Sequence, residues 1–398
     1  MNSNRVPKPR GISPRSVAVF AMPEVSHFHR LESMISGLTR SGVEVHVFTH
    51  RNFERRVESA GGVFFDLFAR YPLEYADDTL LPIPCSFVSF AAVYGRQICR
   101  DVEKIGASLV IQDGFAVIGR VVATVLDIPR VNICAGHNMA PACFLALLKE
   151  DPRVKLSAKC LRAVEELRES YGMADASPFS YVSSLSAHLN IYCEAPEFLE
   201  ERERKAFGPV AFYRSFPSLV GGQGGPRGSR RWFGAGSARM LKVYVSFGTV
   251  IWRYYAVTAL SVLNTLAAAF GRMENVQAVI SLGGTELTIE ELAALLRPNV
   301  SVERYVDQWD LLQETDVFFT HHGLNSTHEA IFHGVPMVSY PFFSDQPALA
   351  AKCRQFGLAT PLTDSVRGVF SEDDVRAALA RLAGEKKSMQ AALSRARE

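Results

Sequence analysis

The sequence predicts an α/β protein made of two consecutive, doubly wound domains. At about 150 residues per domain, its 398 residues favour two domains. Short apolar, strand-like runs alternate with segments of helical periodicity in both halves of the chain. Between the halves, residues 221–236 contain seven glycines and three arginines, a composition typical of a linker. Together these three observations define the fold class.

The first half begins with a strand, a helix and a second strand. Residues 16–22 are β-branched and apolar, residues 29–41 place apolar side chains at helical spacing, and Gly42 ends that helix. A strand at 43–49 completes a β-α-β unit, which predicts two adjacent parallel strands. The other predicted elements of this half are helices at 89–105 and 116–126 and strands at 108–112, 130–134 and 187–193.

The alternation restarts after the glycine-rich segment. The predicted strands lie at 241–246, 276–281, 300–305, 316–320 and 335–340. The predicted helices lie at 254–270, 289–296, 309–314, 325–332, 346–356 and 372–382, the last with a continuation beyond 382. We therefore divide the chain into a disordered tail (1–15), a first domain (16–215), a linker (216–238) and a second domain (239–398). Because ligands bind beyond the carboxyl ends of the strands in such sheets, we expect the functional residues in the loops that follow strands.

Composition and charge exclude several classes of protein. The formal net charge is only +2, without the basic excess of nucleic-acid-binding proteins. No uninterrupted apolar run reaches the ~20 residues of a membrane span, and residues 1–15 lack the apolar core of a secretory signal. The seven cysteines are scattered, with no C-x-x-C pair, which is typical of reduced thiols. We expect a cytoplasmic protein with no nucleic-acid partner and no membrane span.

A histidine pair follows the first predicted strand, at His27 and His29. An imidazole at a strand end can serve as a general base near physiological pH. The pair could instead bind a metal ion, although such a site needs further His and carboxylate ligands after later strands. A third interpretation is that both histidines begin a helix and have no chemical task.

Asp113 ends the predicted strand at 108–112. Asp is a preferred N-cap residue, so Asp113 could cap the helix that follows from Ala116. Paired with a histidine on a neighbouring strand end, the same carboxylate would orient and stabilise an imidazolium. The sequence alone leaves both interpretations open.

The strongest pattern begins where the predicted strand at 316–320 ends. Gly323 allows the backbone of a turn to approach a ligand closely. The helix that begins near Asn325 presents free N–H groups and the positive end of its dipole, which suit a phosphate. His321 and Ser326 can add hydrogen-bond donors. This segment predicts a site for the diphosphate of a ligand.

Polar residues that suit sugar hydroxyls follow this segment. Glu329 lies one helical turn further on, where a carboxylate can accept hydrogen bonds from ribose hydroxyls. Asp345 and Gln346, after the next strand, offer acceptors and donors for the hydroxyls of a second sugar. We expect His328 and His333 to face solvent or to pack.

These motifs resemble those of nucleotide-sugar glycosyltransferases with two Rossmann-like domains, the GT-B type. The family includes bacterial macrolide and other natural-product glycosyltransferases and the UDP-glycosyltransferases of plants and animals. The resemblance covers residues 16–362, so the fold that it implies is two Rossmann-like domains facing across a cleft. The matching motifs are T-H-x-G-x-N-S at 320–326, E-A at 329–330, G-V-P at 334–336, P-x-x-x-D-Q at 341–346, S-x-G-T at 246–249, D-x-F at 113–115 and the G-H-x-x-P…G-x-E-V segment at 26–45.

The resemblance implies roles for individual residues. His27 corresponds to the catalytic base and Asp113 to its partner carboxylate. The residues that correspond to the donor diphosphate site are Ser246, Gly248, Thr249, His321, Gly323, Asn325 and Ser326. Those of the nucleoside site are Tyr305, Val306, Gln308 and Glu329, and those of the donor sugar site are Asp345 and Gln346.

The sequence departs from the family pattern at four places. Ser26 and Arg30 replace the glycine and proline of G-H-x-x-P. His322 puts an imidazole where a small residue is usual, and Tyr305 replaces the tryptophan that stacks on the nucleobase. We also expect the family's last helix, which crosses back onto the first domain, to be short or missing after Arg397.

The resemblance and the residues predict a metal-independent, inverting hexosyltransferase. It would move a hexose from a UDP- or dTDP-sugar to a hydroxyl of a small, apolar natural product, as in antibiotic biosynthesis. The sequence contains no Asp-x-Asp, the usual carboxylate pair for a diphosphate-bridging metal, so we expect neither metal nor cofactor. The expected partners are the acceptor and the nucleotide sugar, and the chain would be a monomer or a homodimer. The residues expected to line the acceptor pocket are Phe28, Phe87, Phe90, Met139 and Phe144.

Three other functions fit parts of the pattern. A sugar-nucleotide 2-epimerase would keep the donor site without needing His27 and Asp113. A metal-dependent hydrolase would use His27 and His29 as ligands. A non-catalytic module would bind the sugar nucleotide and transfer nothing.

Overall fold

The computed structural model describes ten stretches of the chain. They are residues 16–74, 85–134, 136, 141–150, 154, 156–183, 185–199, 201–212, 231–234 and 240–398. The predicted tail (1–15), Met139 and most of the predicted linker (216–238) lie outside the described residues.

The first domain contains a sheet of seven parallel strands in the order β3-β2-β1-β4-β5-β6-β7. Its strands are β1 (Ser16–Phe20), β2 (Glu44–Thr49), β3 (Val63–Asp66), β4 (Leu109–Asp113), β5 (Arg130–Cys134), β6 (Leu189–Tyr192) and β7 (Val210–Phe212). Its helices are α1 (Val25–Arg40), α2 (Glu54–Ser59), α3 (Leu67–Arg70), α4 (Cys85–Lys104), α5 (Val117–Val125), α6 (Pro141–Glu150), α7 (Ala158–Tyr171), α8 (Ser180–Ser183) and α9 (Glu201–Ala206). Because β1 pairs with both β2 and β4, the strand order reverses at β1 and leaves a crevice at the carboxyl ends of β1 and β4.

The second domain contains a sheet of six parallel strands in the order β10-β9-β8-β11-β12-β13. Its strands are β8 (Leu241–Ser246), β9 (Val276–Ser281), β10 (Val300–Glu303), β11 (Val317–Thr320), β12 (Met337–Ser339) and β13 (Ala359–Pro361). Its helices are α10 (Ile251–Gly271), α11 (Ile289–Leu295), α12 (Gln308–Leu312), α13 (Leu324–His333), α14 (Gln346–Gln355) and α15 (Glu372–Arg397). The equivalent crevice lies between β8 and β11. The predicted class of two doubly wound α/β units is therefore confirmed.

Both sheets are buried on both faces, as parallel sheets with helices on each side require. In β1, Val17 and Val19 pack into the core on one face while Ala18 and Phe20 pack into the core on the other. In β8, Val243 packs into the core on one face of the second sheet, and Tyr244 packs into the core on the other. This explains why the centres of these strands are runs of consecutive apolar residues rather than alternating ones.

The element boundaries differ from the prediction in several places. Three short strands (β3, β7 and β13) were not predicted, and α4 begins at Cys85, four residues earlier than the predicted start. The helix predicted at 372–382, with its continuation, is α15. α15 is continuous over 26 residues, begins with a capping box between Ser371 and Asp374, and packs Val375 and Met389 into the second domain's core.

α10 bears on the expectation that no segment spans a membrane. By length and apolar composition alone it could cross a membrane, and it is the one helix of this kind among the described residues. Its Ala259, Leu263 and Leu266 lie in the core of the second domain, which accounts for its apolar composition.

Candidate functional site

His27 and Asp113 meet at the crevice of the first sheet. β1 and β4 are neighbours, His27 lies in the first turn of α1 just after β1, and Asp113 is the last residue of β4. The distance between His27 Nδ1 and Asp113 Oδ1 is 2.6 Å. Because an ionised carboxylate only accepts hydrogen bonds, Nδ1 carries the proton and Nε2 remains a proton acceptor.

The surroundings of His27 tune its basicity. Burial lowers the pKa of this imidazole, but the Asp113 carboxylate and its hydrogen bond raise it by more, so the net pKa lies above the ordinary value. The ring also stacks on Phe115 with 4.0 Å between centroids, which fixes its orientation. The N-cap residue of α5 is Ala116, and no side chain caps this helix. The Asp113 carboxylate therefore binds His27 and does not cap α5.

His29 does not join His27 in a metal site. Its Nδ1 lies 3.1 Å from a guanidinium nitrogen of Arg56, which also pairs with Glu32. Burial, together with Arg56, lowers the pKa of His29 to about 3. Among the described residues, no three His, Cys, Asp or Glu side chains come together as metal ligands would.

The predicted diphosphate residues come together at the crevice of the second sheet. α13 begins directly after β11, and its N-cap residue is Gly323, which leaves the first N–H groups of the helix without a side-chain cap. The loop after β8 lies beside it, where Ser246 Oγ accepts a hydrogen bond from the Gly248 N–H at 3.3 Å and Thr249 is exposed. Ser326, in the first turn of α13, is nearly buried.

The His321 ring lies between two glycines. A Cβ atom at Gly323 would lie 2.5 Å from His321 Nε2, and one at Gly248, which also has a φ of +69°, would lie 2.9 Å from the ring. Only glycine fits at both positions while the ring stays in place. Burial lowers the pKa of His321 to about 4, so the imidazole is neutral near pH 7.

The unusual His322 turns away from this site. Its φ is +60°, a conformation that favours glycine, and its side chain is completely buried. Its two ring nitrogens lie 3.1 Å from Thr327 Oγ1 and 2.7 Å from Ser339 Oγ. The imidazole therefore joins α13 to β12 inside the domain and adds nothing to the surface that faces a ligand.

The predicted nucleoside residues separate into an exposed ring and a buried network. Tyr305 is 69% exposed and offers a free face on which a base could stack, whereas Val306 is 3% exposed and packs in the core. Only the main chain of Val306 could meet a nucleoside, and its place in the nucleoside site stays a prediction.

Gln308 holds Glu329 in place. Its Nε2 donates to Glu329 Oε2 at 2.7 Å and to Ser326 Oγ at 3.2 Å, and its Oε1 accepts from the Tyr244 hydroxyl at 3.3 Å. Burial raises the pKa of Glu329 to about 7, against the hydrogen bond from Gln308 and the charge of Arg30, which lower it. A carboxylate of this kind can accept hydrogen bonds from a diol.

Asp345 comes from the second domain but lies beside the first. A Cβ atom on Gly136 would be 3.1 Å from Asp345 Oδ2, and the charge of Asp345 helps to raise the pKa of His27. Its neighbour Gln346 uses Oε1 to accept hydrogen bonds from the N–H groups of Phe342 and Phe343, at 2.9 and 3.3 Å. Gln346 therefore shapes the loop that carries Asp345.

The predicted acceptor residues are only partly supported by their positions. Phe28 is 0% exposed and stacks on Phe53 with 4.2 Å between centroids, so it belongs to the core and we withdraw it from the acceptor pocket. Phe87 and Phe90 are also nearly buried. Met139 and the side chain of Phe144 lie outside the described residues, so those two predictions stay open.

Sequence reasoning gave no role to three residues that lie at this site. Phe115 stacks on His27 and contacts Phe87 with 5.9 Å between centroids. Arg30 and His328 meet across the cleft at 3.1 Å. The D-x-F motif contained a signal for Phe115, but the contact between Arg30 and His328 joins residues 298 positions apart and needs the tertiary structure.

Comparison with known proteins assigns this architecture. Residues 234–396 match the family described as "UDP-glucoronosyl and UDP-glucosyl transferase". The chain is 26% identical over 381 residues to an uncharacterized UDP-glucosyltransferase, YdhE, of Bacillus subtilis (strain 168), covering 91% of this chain and 87% of that protein.

Two solved structures share the fold over nearly the whole chain. The glycotransferase of kitacinnamycin has a TM-score of 0.73 and 23% identity, covering 96% of this chain and 94% of that one. The glycosyltransferase VinC, solved in complex with dTDP, has a TM-score of 0.65 and 20% identity with the same coverage. The chain thus has the two-domain GT-B fold of these glycosyltransferases, and its residues 234–396 are similar to the UDP-glucuronosyl and UDP-glucosyl transferase family.

Proposed function

We propose that this protein is an inverting, metal-independent glycosyltransferase. It moves a hexose from a UDP- or dTDP-sugar to a hydroxyl of a small, apolar natural product. The observation that carries the proposal is the 2.6 Å contact between His27 and Asp113, with Asp345 of the donor domain near enough to act on the pKa of His27. A general base therefore faces the proposed site of the donor sugar.

The proposed reaction is a single in-line displacement. The acceptor oxygen forms a bond to the anomeric carbon while its proton passes to His27 Nε2. The bond from that carbon to the diphosphate oxygen breaks, and the nucleoside diphosphate leaves with the electron pair. Attack opposite the leaving group inverts the anomeric configuration, and Asp113 stabilises the imidazolium that forms.

The chain's own donors would stabilise the departing diphosphate. The uncapped N–H groups at the start of α13 present partial positive charge, and Ser326, Thr249 and the neutral imidazole of His321 add donors around them. This is the support for metal independence, and the test is turnover in excess EDTA. A rate that requires an added divalent cation would contradict it.

The choice of substrates rests on the relatives. YdhE is named a UDP-glucosyltransferase and VinC was solved with dTDP, so UDP and dTDP are the nucleotides to test first. The kitacinnamycin enzyme suggests a natural-product acceptor. The rings of Phe115 and Phe87 beside His27 suit an apolar one.

A screen of donors and acceptors tests the proposal as a whole. Purified protein is incubated with UDP- and dTDP-hexoses and a panel of polyketide-like hydroxyl compounds, and NMR coupling constants give the anomeric configuration of the product. We expect a glycoside of inverted configuration. A retained configuration would contradict the inverting mechanism, and conversion of the sugar nucleotide without acceptor would favour an epimerase.

A further inference from the structure

Two hydrogen bonds join α1 of the first domain to α13 of the second. Asn325 Nδ2 donates to the main-chain oxygen of Ser26 at 3.2 Å, and Arg30 Nη1 donates to His328 Nδ1 at 3.1 Å. Ser26 and Arg30 are four residues apart on α1, and Asn325 and His328 are three apart on α13, so each pair shares one helix face. We call these four residues the helix seam.

His328 also contacts a second group of the first domain. Because a guanidinium only donates, His328 Nδ1 accepts from Arg30 and Nε2 carries the proton. Nε2 lies 3.6 Å from Glu194 Oε1, and the other oxygen of Glu194 accepts from the Tyr192 hydroxyl at 2.5 Å. The imidazole of the second domain is thus inserted between a cation and an anion of the first.

Burial makes this arrangement specific. Arg30 is 0% exposed and Glu194 is 1% exposed. Buried charges are unfavourable unless they are paired and hydrogen-bonded, so separation of the domains at the helix seam would cost both groups a partner. The contact therefore favours one relative position of α1 and α13.

The two helices carry opposite halves of the proposed reaction. α1 bears His27, three residues before Arg30. α13 bears Asn325, Ser326 and Glu329 of the proposed donor site, and Glu329 follows His328 directly. A displacement of one helix along the other would change the distance from the base to the anomeric carbon.

We propose that Arg30 and His328 are positioning residues that set this distance. By joining α1 to α13, they hold His27 in line with the anomeric carbon of the donor sugar. The inference rests on the proposed glycosyl transfer. It also gives a function to Arg30, which replaces a proline of the family pattern, since a proline could not reach across the cleft.

The kinetic test separates positioning from donor binding. Arg30→Met and His328→Leu remove the contact, whereas Arg30→Lys and His328→Gln keep a hydrogen-bonding group. His333→Gln is the matched control, because His333 lies on the same helix but packs against Trp309. We expect Arg30→Met and His328→Leu each to lower kcat about tenfold or more, because small misplacements of a reacting group are costly. At a pH well above the pKa of Glu329, where loss of the Arg30 charge does not change the ionisation of that carboxylate, each should change the UDP Kd by less than about threefold.

The double variant tests the coupling. Arg30→Met with His328→Leu should be no worse than either single change, because all three remove the same contact. Arg30→Lys and His328→Gln should recover part of kcat. Losses that multiply in the double variant, or a loss of UDP affinity as large as that of kcat, would overturn the proposal.

A measurement without turnover keeps the two proposals distinct. Small-angle scattering of the full chain with saturating UDP should give a larger radius of gyration for Arg30→Met and His328→Leu than for wild type or His333→Gln. Thermal unfolding shows that each variant is folded, and His328→Gln remains as a test should Arg30→Met not fold. If wild type transfers no sugar from any donor, the proposed function fails. If the radius of gyration is the same in all variants, the proposed positioning role of Arg30 and His328 is overturned.

Discussion

A few side chains account for the chemistry expected at the cleft, and the first is His27. Its Nδ1 is occupied by Asp113, which directs Nε2 toward the substrate side. A base of this kind must be neutral to accept a proton. Asp113, with Glu24 and Asp345, keeps the pKa of His27 above its ordinary value, so we expect a protonated His27 to limit the rate at low pH.

We predict that the rate rises with pH through a pKa above 6.5, and that Asp113→Asn moves this midpoint to lower pH. Loss of the carboxylate removes the charge that raises the pKa of His27, and the imidazole is no longer held in the productive tautomer. The plateau rate should fall by about 100-fold or more, the usual contribution of a general base. The measurement is a pH profile of kcat under saturating substrates.

The control for this profile is His27→Ala. It should abolish transfer without loss of UDP binding, which calorimetry measures. A His27→Ala protein with full turnover would remove His27 from the mechanism, and a midpoint that stays in place in Asp113→Asn would remove the role of Asp113.

Glu329 yields a second prediction at the scale of the residue. With a pKa of about 7, it is protonated in the free protein below neutral pH and ionised above. The ionised form accepts hydrogen bonds from ribose hydroxyls, so UDP affinity should fall as the pH is lowered through about 7. In Glu329→Gln, affinity should be about tenfold weaker above pH 7 and independent of pH in this range, as measured by calorimetry.

Ionisation of Glu329 should strengthen UDP binding but lower the stability of the folded protein. A carboxyl whose pKa is raised in the folded protein favours the folded state below its unfolded pKa, and that contribution is lost as the pH rises through about 7. Above pH 7, the free energy of unfolding of Glu329→Gln should therefore exceed that of wild type by on the order of 1–3 kcal/mol. Thermal unfolding measures this as a higher unfolding temperature. A lower unfolding temperature there would show that the ionised side chain is better paired than its burial suggests.

At the scale of elements, the start of α13 depends on close packing. The His321 ring occupies the space beside Gly323 and Gly248, where a Cβ atom would lie 2.5 and 2.9 Å from it. We predict that Gly323→Ala displaces the ring and the first turn of α13, lowers UDP affinity about tenfold or more and lowers Tm, since overpacking costs about 1–3 kcal/mol. Calorimetry and thermal unfolding measure the two effects.

Gly37 provides the comparison. It lies within α1, with no atom within 4 Å of the position of a Cβ. Gly37→Ala should leave UDP affinity unchanged and raise stability by up to ~1 kcal/mol, the helix propensity difference. If Gly323→Ala behaved like Gly37→Ala, the packing around His321 would not define the site.

At the scale of the whole molecule, the domains share an apolar contact as well as the helix seam. Phe198, after β6, packs edge-on against Phe356, after α14, with 5.1 Å between ring centroids. Phe198 lies in a core cluster made mostly of residues from the second domain. The two domains should therefore unfold together.

We predict that Phe198→Ala lowers stability by about 3 kcal/mol and separates the unfolding of the two domains into resolved transitions. Differential scanning calorimetry measures both effects. Val257→Ala is the control, because Val257 is an exposed apolar residue on α10 and should change neither. A single, sharp transition in Phe198→Ala would show that this contact does not couple the domains.

The sequence predicted the central strands and helices because they are long or continuously apolar. β1, β4 and β8 each contain three or more consecutive apolar residues because both faces of the strand are buried, and α10 has 21 residues. β3, β7 and β13 have only three or four residues and lie at the edges of their sheets. Their pairing depends on neighbouring strands, which a local pattern does not contain.

The sequence by itself determined the fold class, and it predicted a pairing of His27 with Asp113 and a diphosphate site at the start of α13, because each lies where a strand ends. Only the tertiary structure decided that His322 and Val306 face the interior, that Phe28 is core, and that Arg30 meets His328. The reason is physical. A strand end is a local feature, whereas the direction of a side chain and a contact across the cleft follow from the packing of elements that lie far apart in the chain.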